Sequence, residues 1–211
     1  MCGRFYADAG LEREIRELVR SLEGERNASA QESTRSGSLG KGAESEGEKW
    51  DVLPSQEAPV LCRKSHRFLT EPMAWGFPAL GGGGLLINAR AESVLEKKTF
   101  RESVLYRRCV IPARGFYEWN SQKEKSWFFR EDGQALCLAG FYDLQGDRER
   151  FVILTTAANA SVAPVHSRMP LILEKSQVSD WILDDKAAEA FLQLGPGQLR
   201  RQSEYQQLSL W

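Results

Sequence analysis

From Trp50 to Leu173 the chain is a succession of short runs rich in Val, Ile, Leu, Phe, Tyr and Trp, cut by proline, glycine and charged residues. Strand-like runs lie at 126–130 (SWFFR), 135–142 (ALCLAGFY) and 150–156 (RFVILTT), and RRCVIPARGFYEW at 107–119 reads as another. No helix-length segment alternates regularly with them, so the strand–helix–strand units of a doubly wound sheet are not available. The count is about eight to ten strands against three or four helices, which predicts an α+β fold. The expected architecture is a single domain, residues 1–211, of curved, largely antiparallel β-sheets with a few flanking helices.

The other segments fit around that frame. Leu11, Ile15, Leu18, Val19 and Leu22 recur at helical spacing and predict a helix over 10–22. Residues 23–49 then hold Leu39 as their only large apolar side chain. Such a stretch cannot bury enough surface to offset its ordering entropy, and it reads as a disordered insertion in a loop. WDVLPSQEAPVLCR predicts two short strands broken by Pro54 and Pro59, residues 66–77 a strand or turn, and Gly81–Gly84 a flexible tether. A short helix over 91–98, a helix after Thr156, an extended PVHSRMPLIL and a helix over 177–194 complete the reading.

Composition excludes several classes. No apolar run reaches the roughly 18 residues of a membrane span, and Arg4, Asp8 and the charged stretch 12–20 interrupt any signal-peptide core. A cytoplasmic location is expected, or a nuclear one in a cell with a nucleus. The four cysteines lie far apart and there are only two histidines, so reduced thiols and no metal or other cofactor are expected. Net charge is −1, yet residues 107–130 carry six cations against two acids, which leaves room for a polyanion-binding groove on a monomeric protein.

Four residues carry candidate chemistry. Cys2 follows Met1; once Met1 is removed, it holds an α-amine (pKa roughly 7.7–8.0) and a thiol (about 8.5) on one residue. That pair can condense with an aldehyde, first as an imine and then as a five-membered thiazolidine. Asn88 follows three aliphatics in LLINARAES and could also cap the helix after it. Glu118 lies between Tyr117 and Trp119, where desolvation would raise its pKa into a range suited to proton transfer. His166 sits in the Pro-bounded apolar stretch APVHSRMPLIL. Taken singly, each has a structural reading that is commoner: a buried thiol, a helix cap, a paired carboxylate, a core histidine.

The motifs MCGRF, INARAES, CVIPARGFYEW, LAGFYD and ILTTAANASVAPVHSRMPLIL, in that order, resemble those of the SRAP (SOS-response-associated peptidase-like) family. The resemblance runs from Cys2 to about Leu173, outside 23–49. It implies abasic-site DNA–protein crosslinking: shielding abasic sites in single-stranded DNA through a covalent thiazolidine at Cys2 after Met1 is lost, with lyase- or autopeptidase-like activity. Cys2 then matches the nucleophile, Asn88 a residue that positions the terminus, Glu118 a proton shuttle, and His166 a group assisting opening of the sugar. Arg4, Arg90 and Arg168 would bind phosphates, and Trp50, Trp75 and Phe116 would stack on bases. WGFPALGGGG is shorter than the family's stretch and lacks its second tryptophan, and Asp51 and Leu53 stand where members carry Asn and a small residue. Two other functions stay open at this level: a thiol peptidase acting on its own terminus or on other peptides, and a non-covalent reader of modified bases.

Overall fold

Residue alternation along the central strands sets the architecture, because successive side chains point to opposite faces of a sheet. In the computed structural model, which describes residues 2–27 and 49–203, the first elements are strand β1 (Phe5–Asp8), helix α1 (Ala9–Asn27) and strand β2 (Lys49–Val52). Then follow β3 (Glu57–Lys64), β4 (Arg67–Trp75), the small hairpin β5 (Phe77–Pro78) and β6 (Leu85–Leu86), and β7 (Asn88–Arg90). A 3-10 turn (Ala91–Glu96) and helix α2 (Lys98–Tyr106) lead to β8 (Arg108–Ala113), β9 (Gly115–Trp119), β10 (Lys125–Phe129), β11 (Leu136–Gln145) and β12 (Arg148–Ala157). The last elements are β13 (Arg168–Pro170), β14 (Ile172–Leu173), α3 (Val178–Leu183), α4 (Asp185–Phe191) and β15 (Arg200–Ser203). The fold is α+β.

Strands β12, β4, β3, β8 and β11 pair in that order, and β11 pairs again with β12, so the sheet closes on itself. Val60, Cys62, Met73, Trp75, Cys109, Ile111, Leu138, Phe151 and Ile153 fill the inside. Their neighbours Leu61, Val110, Cys137, Ala139, Phe141, Val152 and Leu154 point outward under Val104 of α2, Trp181 of α3 and Ala188 of α4. Burial on both faces is why these strands read as unbroken apolar runs. Gly140 marks a close approach within the barrel: a Cβ there would lie 2.5 Å from Ile111 Cδ1 and 2.6 Å from Val152 O.

A second, antiparallel sheet runs β15–β10–β9–β1–β2. Its inner residues Phe5, Val52, Phe116 and Phe128 pack into the barrel interior, with the Phe5 and Trp75 rings 5.1 Å apart. The stretch expected as one strand at 107–119 is therefore two strands in different sheets, parted at Arg114. The Arg114 guanidinium grips both Asp8 oxygens at 3.0 Å, Glu14 at 2.5 Å and the Gly133 carbonyl at 2.7 Å. It clamps β1 and α1, and hence the segment after Cys2, to the barrel. Asp8 also caps α1, accepting the Leu11 N–H at 2.9 Å.

Several expectations are corrected. Helix α1 continues to Asn27, so 23–27 is not part of an insertion, and Glu23 accepts the Phe68 N–H at 2.6 Å. Residues 28–48 lie outside the described residues. Pro59 does not break β3; it faces Pro72 of β4, so two residues that cannot donate share one rung. The glycine tract forms a hairpin turn, with Ala79 N–H bonded to Gly84 O at 2.9 Å and positive φ at Gly81, Gly82 and Gly84. Residues after Thr156 continue β12 and then turn, and the helix expected over 177–194 is divided by Asp184. Its side chain accepts the N–H groups of Lys186 and Ala187 and starts α4 afresh.

Removing the Arg114 clamp should cost about 2–3 kcal/mol in Arg114→Ala, read by denaturant unfolding, because it strands two partly buried carboxylates. Burial raises Asp8 and Glu14, but Arg114 for Asp8, and the Ala135 N–H followed by Arg114 for Glu14, outweigh it and hold both carboxyls below the ordinary range. Their contribution is full above the unfolded carboxylate pKa and is lost as pH falls through the lower folded values. Wild-type stability should therefore fall across that acidic window, and the Arg114→Ala curve should be flatter there.

Candidate active site

Cys2 is fully buried at the entrance to β1, whose pairing with β2 and β9 fixes where the chain starts. The Asn88 Nδ2 donates to the Cys2 carbonyl at 2.8 Å. Asn88 itself is placed by the parallel pairing of β7 with β12, opposite Ile153. It is not a helix cap: the residue capping the 3-10 turn is Arg90, without a side-chain bond. Asn88 Oδ1 is buried with no hydrogen-bond partner among the described residues, an acceptor facing the site.

Glu118 is 2 % exposed and lies on the face of β9 that carries Phe116 inward. Burial pushes its carboxyl above the ordinary range, and nearby positive charge, that of His166 included, opposes the rise. Its sequence neighbours do not cause this. Tyr117 and Trp119 project from the other face of the strand, their rings 6.5 Å apart. The Cys2 thiol donates to the Arg4 carbonyl at 3.6 Å; burial, and behind it the Glu118 charge, pushes it well above the ordinary thiol range. Cys2, Asn88, Glu118 and His166 are thus brought together from four separate stretches.

His166 ends a turn built on Asn159, a residue the sequence reading passed over. Asn159 Oδ1 accepts from Ser161 N–H at 3.0 Å and Ser161 Oγ at 2.6 Å, and its Nδ2 donates to the Pro196 and Gly197 carbonyls at 3.0 and 2.8 Å. The Asn-x-Ser pattern at 159–161 is the signal that marks such a turn. The His166 N–H then reaches the Val162 carbonyl at 3.1 Å.

The six residues assigned to DNA contacts divide. Trp50 is 39 % exposed and Arg90 is exposed. Arg4 bonds Asp51 at 3.4 Å with its guanidinium 5.5 Å from the Trp119 ring. Trp75 and Phe116 are corrected: both are fully buried, Trp75 donating to the Ile87 carbonyl at 2.9 Å and Phe116 stacked on Phe128 at 5.2 Å, so neither presents a face to a base. Arg168 is held in a bidentate pair with Glu92, at 2.6 and 2.8 Å. Unforeseen, the outer face of the second sheet lines up Tyr6, Tyr117, Trp119 and Trp127, with Lys49 and Lys125 over the rings. Alternation in FYAD, GFYEW and KSWFF is the pattern behind it.

Among the described residues no group of His, Cys, Asp and Glu is placed to hold a metal ion, and no helix is long and apolar enough to cross a membrane. Barrel, capping sheet and a buried Cys2 joined to Asn88 define a class. Residues 1–208 match the SOS response associated peptidase (SRAP) family, and the chain belongs to it. It is 26 % identical over 142 residues to the abasic site processing protein YedK of Escherichia coli (strain K12), covering 64 % of each chain, so it spans just under two thirds of that relative. The abasic site processing protein YoaM of Bacillus subtilis (strain 168) is 29 % identical over 158 residues, 68 % of this chain and 70 % of that one. A phage-related protein of Bordetella bronchiseptica shares the fold, with a TM-score of 0.72 at 17 % identity over 97 % of this chain and 95 % of its own.

All four cysteines are free and buried; burial pushes Cys62 and Cys137 up to about 12, and Cys2 and Cys109 also rise. With Met1 in place, iodoacetamide near neutral pH should label the native chain only as fast as it opens. Rapid labelling of one thiol in the folded protein would contradict this burial.

Proposed function

We propose that the protein processes abasic sites in single-stranded DNA by trapping the ring-opened sugar aldehyde on Cys2 once Met1 has been removed. The observation that carries this reading is the Asn88–Cys2 bond at 2.8 Å, beside a buried carboxyl whose charge acts on the same thiol. The names of the relatives, abasic site processing proteins, support it.

The chemistry runs in two bond-forming steps. The freed Cys2 amine adds to the aldehyde carbon, and the resulting carbinolamine loses its hydroxyl as water to give an imine. Glu118, its carboxyl raised by burial, is suited to hold the proton that this leaving hydroxyl needs. The Cys2 sulfur then adds to the imine carbon, closing the thiazolidine; its proton passes to the imine nitrogen through Glu118 or His166. One water leaves in all, and no oxidant or metal takes part. Asn88 holds the Cys2 carbonyl and so fixes the direction of amine and thiol together.

Arg4 and Arg90 stand where phosphates could be met, and Trp50 with the ring-and-lysine face of the second sheet offers stacking surfaces for flanking bases. A general thiol peptidase fits less well. Such an enzyme works with a thiol pKa lowered to favour the thiolate, whereas burial drives the Cys2 thiol the other way.

Incubated with a single strand bearing one abasic site, the Met1-free protein should give a band that survives denaturing electrophoresis, and Cys2→Ala should lose it while still binding DNA. A retained band in Cys2→Ala would end the proposal. Glu118→Gln should slow band formation by about 10²–10⁴-fold with binding intact. The proton-donating form is lost as pH rises through the raised carboxyl, so the wild-type rate should fall there and the Glu118→Gln profile should be flat.

A further inference from the structure

A pocket of about 230 Å³ shares no residue with the Cys2 site. Arg63, Ser65 and His66, at the β3–β4 turn, line it together with Tyr106 at the end of α2, Arg108 at the start of β8 and Tyr142 of β11. The pairing of β3 with β8 assembles it. Leu61 stands opposite Val110, so two residues further on Arg63 comes level with Arg108. Two guanidinium groups, an imidazole and three hydroxyls meet there, and no acidic side chain lines the space. Such a lining is rich in donors and electropositive. The volume lies below the roughly 300–1,000 Å³ of sites for drug-sized ligands, so it suits a small anion or one charged group of a larger molecule.

The two arginines differ. Arg108 is committed to the fold: its side chain is 5 % exposed and donates to the Trp181 and Leu105 carbonyls at 2.6 and 2.9 Å and to Asp185 at 2.7 Å. It makes a fixed wall. Arg63 has no such partners. Arg107, Arg108, Arg114 and Arg130 each meet a carboxylate, whereas the Arg63 guanidinium meets Nδ1 of His66, 3.2 Å from its Nη2. The half-buried Arg63 also keeps its Nε buried with no hydrogen-bond partner among the described residues. A guanidinium offers five donors in a fork that fits phosphate oxygens, and a donor left without an acceptor carries a cost that a bound oxyanion would remove.

The turn beside it is strained. Lys64 and Arg67 pair across it, so it holds two residues, and both have positive φ: 48° at Ser65 and 66° at His66. Asn-Gly adopts such a turn at little cost and Ser-His does not. The strain keeps a hydroxyl and an imidazole next to the one guanidinium in the pocket that lacks a carboxylate.

We infer that this pocket binds a phosphate group, held by Arg63 with Ser65 and His66 of the turn against the wall made by Arg108. A free phosphate ester and a backbone phosphate of a DNA strand present the same oxygens, and the test separates them. The inference goes beyond the proposed function and does not rest on it.

Inorganic phosphate titrated into the full chain should move the Arg63 Nε–H and His66 ring signals in ¹⁵N spectra to saturation, and chloride at equal ionic strength should not. A deoxynucleoside 5′-monophosphate and a single strand without an abasic site complete the series. Arg63→Gln should weaken binding by roughly tenfold or more. A free ester as the source shows this loss with the monophosphate and leaves the salt dependence of strand binding unchanged. A backbone phosphate as the source lowers the slope of log K against log salt by about 0.7 for the strand. A second variant guards against misfolding: Ser65→Asn with His66→Gly should raise the unfolding midpoint and still weaken phosphate binding. Wild-type affinity for all three probes in either variant, or no saturable response in the wild type, overturns the inference. Abasic-site crosslinking at saturating DNA should be unchanged in Arg63→Gln, so the two proposals fail separately.

Discussion

The hydrogen bond from the Asn88 amide to the Cys2 carbonyl is the constraint on which the arrangement depends. A residue next to a chain terminus has few local reasons to hold one position, since fraying restores entropy at little cost. Here Asn88 is fixed by a rung of the closed barrel, and the next residues of the terminal segment are fixed by Phe5 against Trp75 and by the Arg114 clamp on Asp8. The terminus is therefore held at both a polar and an apolar point. Its reactive atoms inherit the rigidity of the barrel rather than the freedom of a tail.

That rigidity has an electrostatic consequence. Glu118 is buried because β9 must present Phe116 and Glu118 to the same side, and the barrel interior occupies that side. A carboxylate in such surroundings is costly, and burial raises its proton affinity above that of an ordinary carboxylate. The same burial suppresses the Cys2 thiolate. On the proposed function, these two shifts suit attack on an imine, where a neutral thiol with a nearby proton acceptor suffices.

Much of this was legible in the chain, for reasons that differ by element. The barrel strands could be read because both of their faces are buried, which leaves Val, Ile, Leu and Phe in uninterrupted runs such as CVI and FVIL. Helix α1 showed its stripe as far as Leu22, but the extension to Asn27 has no apolar face to announce it. The break at Arg114 was hidden, because its cause is a contact with Asp8 from 106 residues away. The four candidate catalytic residues were legible as motifs, whereas aromatic roles were not: Trp75 and Phe116 differ from Trp119 only in which face their register gives them. The pairing of Arg168 with Glu92 was hidden in the same way, because Glu92 lies 76 residues upstream.

The central claim is that a freed aminothiol at Cys2 closes a ring on an abasic-site aldehyde, and the bond itself can be read by mass. Trypsin cuts after Arg4, so the crosslinked protein should yield the tripeptide Cys2-Gly3-Arg4 carrying the sugar, at the sum of the two masses less one water. A thiazolidine has no imine left to reduce, so borohydride added after crosslinking should not change that mass. An adduct found on a lysine-containing peptide, or a Cys2 peptide that gains two hydrogens on reduction, would contradict the account.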